Sequence, residues 1–194
     1  EVTLTLVAPR KIVVQVTGQV LNETKFELTS LQRVDNLIAS ANELPQGAKD
    51  VKESMEEVLR ARQSVSLRNI IIQRRNGVKL RVDLVKYQTT GEGKYNPYLR
   101  EGDQVFVPAR HVIGTSIGVF GGIQLSGSFE FVEGDSLADL IAMGFGFKAT
   151  ADSQSAVLTR LSPDGNQMET IDVNPLAILT RREPNMALRP GDRL

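Results

Sequence analysis

At 194 residues, with 41% hydrophobic and 24% charged positions, the chain has room for one or two ordinary globular domains, and a disordered or fibrous class is excluded. Lys plus Arg equals Asp plus Glu at 23 each, so no net field gathers nucleic acid or an anionic bilayer, and no nucleic-acid partner is expected. The absence of cysteine removes disulfides, thiol catalysis and thiolate metal sites together, and leaves both the cytosol and the periplasm open.

In chain order, Val2-Thr3-Leu4-Thr5-Leu6-Val7 predicts an opening strand. Ile12, Val14 and Val16 then alternate with Val13, Gln15 and Thr17, the pattern of a half-buried strand, and the stretch from Gly18 to Lys25 turns it back toward Phe26-Glu27-Leu28. Val34, Leu37, Ile38 and Ala41 fall at i, i+3, i+4 and i+7, which places one apolar stripe on a short helix with Ser30 as its N-cap. Val51, Met55, Val58, Leu59 and Arg62 make a second helical stripe against charged positions from Lys49 to Arg60, predicting a solvated helix packed on one side. Ile70 and Ile72, then Val78, Leu80, Val82 and Leu84, predict two strands around the tight turn Arg75-Asn76-Gly77. Gly102-Asp103 predicts a turn into a short strand, Gln104 to Val107, that stops at Pro108.

The rest of the chain repeats this plan. Gly18 and Gly121, Phe26 and Phe129, and Ile38 and Ile141 are each 103 positions apart. At the back, Leu99-Arg100-Glu101-Gly102-Asp103 returns 89 positions later as Leu188-Arg189-Pro190-Gly191-Asp192. The shortfall is localised by Ile38 and Arg74, 36 residues apart, against Ile141 and Arg160, 19 apart, so an insertion of about 17 residues lies between Glu43 and Ser66. Leu137, Leu140 and Ile141 repeat the helix, with Gly144 as its stop, and Pro163-Asp164-Gly165-Asn166 repeats the hairpin turn. The expected order in each copy is strand, strand, helix, strand, strand, strand: an α+β class with two tandem domains of one fold.

Reactive constellations are scarce. The single histidine, His111, lies in the connection between copies, and nothing around it or Ser116 resembles a nucleophile turn, so no catalytic residue, metal ligand or cofactor is expected. Asp103 and Asp192 occupy equivalent places in two domains, too far apart for the acid and base of glycoside hydrolysis, whereas Gly-Asp suits a turn in which glycine supplies positive φ and Asp accepts backbone N–H groups. Gly18, Gly102, Gly121 and Gly191 are read as structural turn glycines with them. The run Gly114 to Gly122 has neither a dinucleotide fingerprint nor a Walker lysine. Arg74-Arg75 and Arg181-Arg182, exposed beside turns, are candidate contacts for an acidic glycan, and Tyr87, Tyr95 and Tyr98 for stacking on sugar rings or anchoring their own loop. Arg74, Arg75, Tyr95, Tyr98, Arg181 and Arg182 are therefore the candidate subunit or glycan contacts.

Gly-x-Val near the start, which reads Gly121-Gly122-Ile123 in the second copy, Leu-Ile-Ala on each helix, a short strand ending in Arg, Val-Asp-Leu, and the paired Leu-x-x-Gly-Asp turns resemble the soluble ligand-binding β-grasp (SLBB) domain. In tandem they resemble the periplasmic repeats of the bacterial outer-membrane polysaccharide export family. The chain departs from that family at two turns. Asn22-Glu23 and Gln124-Leu125 stand where Pro-Gly is common, and Asn42-Glu43 where Gly-Gly is.

The resemblance implies that residues 1–10 end a preceding export domain or linker, 11–110 form a first β-grasp domain with a helical insertion at about 45–65, and 111–194 form a second. The first copy continues past Val105 with Phe106-Val107-Pro108, whereas the second reaches Leu194 at the same level, so the chain reads as cut from a longer protein with its second domain shortened. It has no run of roughly 20 apolar residues and no leader-like start, and reads as a soluble segment. The family further implies a non-enzymatic, periplasmic role at the outer membrane of a Gram-negative bacterium. Its subunits form a homo-oligomeric ring around a polysaccharide, above an inner-membrane synthesis and export apparatus. The alternative is a glycan- or small-ligand-binding module with no transport role.

Overall fold

The structure is a computed structural model that describes residues 8–43, 65–110, 115–162 and 164–194. The opening strand at Val2 to Val7, the inserted helix and His111 lie outside the described residues. The chain divides into two compact units, Glu1–Tyr87 with Glu92–Arg110, and Gln88–Gly91 with His111–Leu194. No helix among the described residues is long and apolar enough to cross a membrane.

The first unit is a mixed five-stranded sheet with helices. β1 (Lys11–Gly18) buries Ile12, Val14 and Val16 and exposes the residues between them, as the period of two requires. It pairs antiparallel with β2 (Lys25–Thr29), Val14 opposite Phe26. α1 (Val34–Ala41) turns Val34, Leu37, Ile38 and Ala41 into the core. Its cap differs from the expectation at Ser30: the helix starts three residues later, where the Asn36 side chain accepts from the Arg33 backbone N–H at 3.1 Å.

β3 (Ile70–Gln73) and β4 (Lys79–Val82) form the expected hairpin, closed by Gly77 at φ 84°. The strand does not run on to Leu84. Asp83 instead caps α2 (Leu84–Thr90), accepting the Lys86 N–H at 2.9 Å. A 3-10 turn (Gly93–Tyr95) follows, and β5 (Gln104–Val107) then slides between β1 and β3, parallel to the first and antiparallel to the second. The strand order is therefore β2-β1-β5-β3-β4. Val14, Val16, Leu37, Ile70, Ile72 and Val105 meet in one core, each contributing about 1.5–3 kcal/mol by leaving water.

The second unit has β6 (Ser116–Val119) antiparallel to β7 (Gly127–Glu130), then α3 (Leu137–Met143). β8 (Ala156–Leu161) pairs antiparallel with β9 (Met168–Val173), and α4 (Pro175–Leu179) follows, capped by Asn174. Like α2, α4 was expected as neither helix nor cap. Gly144 does end α3, but at φ −81°, while Phe145 and Gly146 take the positive-φ positions. A side chain at Gly144 would meet Ile123 at 2.6 Å, so packing rather than handedness requires the glycine.

Beyond Val173 the ladder continues as single bridges, and these repeat the first unit's register residue for residue. Gly118 bridges Arg193 in parallel where Gln15 pairs with Gln104, and Thr159 bridges Arg193 antiparallel where Gln73 pairs with Gln104. The bridge from Ser136 to Ala187 answers the one from Arg33 to Tyr98.

Candidate functional site

Each unit closes on a Gly-Asp turn whose geometry follows from its residues. Gly102 and Gly191 adopt φ 76° and 93°, conformations open to glycine at little cost. The Asp103 carboxylate, 1% exposed, accepts the Arg100 N–H at 2.9 Å, and Asp192 accepts the Arg189 N–H at 2.8 Å. The glycine N–H groups reach back to the first strands, Gly102 to Val13 O at 2.8 Å and Gly191 to Ser116 O at 2.7 Å. The turn thus fixes where the last strand enters the sheet.

The two turns differ in their charge partners. In the second unit Arg160 clasps Asp192 with two hydrogen bonds, Nε to Oδ1 at 2.9 Å and a terminal nitrogen to Oδ2 at 2.6 Å, and also donates to Ala187 O at 3.0 Å. The bond to Asp192 holds the guanidinium above its ordinary pKa. Arg74 has the same place in the first unit and donates to Tyr98 O at 3.2 Å, yet its Nε is buried with no hydrogen-bond partner among the described residues. It is 9% exposed, so the sequence expectation of Arg74 as an exposed contact is corrected. The first unit's buried ion pair lies elsewhere, Arg68 to Asp83 at 2.8 Å, with the same carboxylate capping α2.

Arg75, unlike its neighbour, is exposed and lies along Gly102, where an added side chain would overlap it. Tyr98 is 50% exposed, with the Arg33 guanidinium 3.8 Å from its ring centroid. Tyr95 is half-buried, between the Lys86 and Lys94 ammonium groups at 5.8 and 4.7 Å, and so anchors its own loop. Arg181 and Arg182 are exposed in the second unit just past α4, Arg181 at φ 59°. The candidates are therefore divided between the two units.

Two adjoining grooves mark the first unit. One, of about 530 Å³, is lined by Arg10, Ile12, Ser30, Tyr98, Leu99, Arg100 and Glu101. The other, of about 270 Å³, runs over Val13, Gln15, Lys25, Arg75, Gly102 and Gln104, and shares Glu101 with the first. Sequence reasoning picked Tyr98 and Arg75 but missed Arg10, Lys25 and Arg100. The signal for Arg100 lay inside Leu-Arg-Glu-Gly-Asp itself, whose arginine recurs as Arg189 in the second copy.

In the second unit a cleft of about 290 Å³ is lined by Val119, Ile123, Phe147, Val157 and Leu194 together with Asp152 and Ser155, among others. An added side chain at Gly121 would meet open space, whereas Gly18 is packed so closely that an added side chain would come within 2.1 Å of Val107 O. No grouping of three His, Cys, Asp or Glu suited to a metal ion occurs among the described residues. What the grooves offer is recognition chemistry: guanidinium and ammonium groups beside a half-exposed ring. No protein-family model matches the chain, and no curated protein matches it.

Proposed function

We propose that this chain is the periplasmic part of an outer-membrane polysaccharide export protein, built from tandem SLBB β-grasp domains and acting as an assembly module of a translocation channel. The observation that carries the reading is the doubled Leu-x-x-Gly-Asp turn. It has the residues of the resembled family, and in both copies it brings the final segment between the first and third strands of the unit in the same register. A domain that repeats its frame while varying its surface suits a ring, in which each subunit presents one face to a neighbour and another to the lumen, and rotation closes the contact. Partners on this reading are copies of the same protein, the polymer, and the inner-membrane apparatus that delivers it.

The test is the native mass of the protein extracted from cell envelopes in mild detergent. A discrete high-order oligomer is expected; a monomer at all concentrations contradicts the ring. The grooves beside Glu101 favour a second reading, a glycan- or small-ligand-binding module without a transport role. That reading expects saturable binding by a monomer and normal polymer at the cell surface.

A further inference from the structure

We propose that the surface joining the two grooves of the first unit binds an acidic polysaccharide segment. Tyr98 is the platform for a sugar ring, and Arg10, Arg100, Arg75 and Lys25 are the partners of its carboxylates. The proposal takes from the export reading only that the natural ligand is a glycan; the choice of an anionic one rests on the groups themselves.

Among the described residues, none of these four cations has an ion-pair partner, although all line the grooves. The two carboxylates in the same linings offset only part of this charge, leaving four cations against two anions, and their hydrogen bonds go to backbone rather than to the cations. Glu101 accepts the Val13 N–H at 2.9 Å, and Asp103 accepts the Arg100 N–H at 2.9 Å. Unpaired guanidinium and ammonium groups along a groove attract carboxylates, with Arg able to grip one through two parallel bonds. Tyr98 supplies what pure charge lacks. Arg33 lies over its ring at 3.8 Å and also donates to the backbone at Asn96, so the ring is held in place while half of the residue stays exposed. A fixed aromatic beside cations suits a ring with an apolar C–H face and an acidic substituent, which describes a uronic acid residue.

The second unit is an internal control. In register, Tyr98 corresponds to Ala187, Lys25 to Ser128, Arg75 to Leu161 and Glu101 to Pro190. Its closing turn and core positions match those of the first unit, while this surface is stripped of its platform and most of its charge. The difference therefore does not follow from the needs of the fold.

Titration calorimetry of the chain with oligogalacturonate, and with neutral dextran oligomers as control, tests the proposal. Saturable binding of the acidic oligomer alone is expected, weakening as salt is raised. Tyr98→Ala, which removes the stacking platform, and the pair Arg75→Gln with Arg100→Gln, which removes charge-assisted contacts, should each lower affinity by about tenfold or more. Arg189→Gln in the second unit should leave it unchanged. Because Tyr98 and these arginines are exposed, the variants are expected to fold, and their circular dichroism checks that. Absence of saturable binding, equal binding of dextran, or affinity untouched by Tyr98→Ala overturns the proposal. None of those results bears on whether cells lacking the protein still export polymer, so the export reading stands or falls separately.

Discussion

The two units reach the same register with differently placed internal charges. In the second, Arg160 and Asp192 lock the closing turn directly to β8. In the first, the equivalent Arg74 and Asp103 are both buried, Arg74 Nε has no partner among the described residues, and an ion pair forms instead between Arg68 and Asp83 at the start of α2. The lesson is that the Gly-Asp turn is held chiefly by backbone bonds common to both units, and the ion pair is an addition that each unit places differently.

The sharpest contrast is between the helix caps. Asp83→Ala removes a cap and strips a buried arginine of its partner, so unfolding should show a loss of about 3–5 kcal/mol, whereas Asn174→Ala removes only a cap and should cost about 1 kcal/mol. Equal losses would mean that the Arg68 pair contributes nothing. At the closing turns, Asp192→Ala leaves Arg160 buried and uncompensated and should cost about 3–5 kcal/mol. Asp103→Ala leaves the Arg100 N–H without its acceptor and should cost about 1–3 kcal/mol. Amide exchange would assign each loss to its unit, and the reverse order would refute the assignment of the lock to Arg160.

The turn glycines should separate next. Gly121→Ala meets open space and incurs only the strain of φ 81°, about 1–3 kcal/mol. Gly18→Ala, at φ 99° and against Val107 O, must also displace β5 and should cost clearly more in the same denaturant titration. The smallest effect concerns the β8–β9 turn. The Ser162 hydroxyl, then the Asn166 backbone and side chain, hold the Asp164 carboxyl below its ordinary pKa. A depressed folded-state value gives a stabilising contribution that is complete above the ordinary carboxylate range and is lost as pH falls through the lowered value. Asp164→Asn should therefore flatten a slight acid-side decline in stability, and an unchanged pH profile would remove this turn from the account.

Much of this frame was legible because its signals are local. Ile12, Val14 and Val16 announced β1, the stripe from Val34 to Ala41 announced α1, and the separations of 103 and 89 residues read from the chain also relate the pairings at Gln104 and Arg193. The helices after β4 and β9 escaped for a physical reason. Val78, Leu80, Val82 and Leu84 continue one strand alternation, and only the capping power of Asp83 breaks it. Asn174-Pro175 is a stronger helix start that went unread. Arg74 looked exposed because it flanks a turn, and its burial depends on the chain around Tyr98 passing over it. The grooves were hidden for the same reason. Arg10, Lys25, Arg75 and Tyr98 are scattered in sequence, and only the placement of β5 beside β1 gathers them.

The most direct test of the central claim is to delete the gene and measure polysaccharide at the cell surface together with the periplasmic and intracellular pools. Export by this protein predicts surface loss with synthesis intact or polymer retained inside the envelope. Unchanged surface polymer, with no shift among the pools, would contradict it.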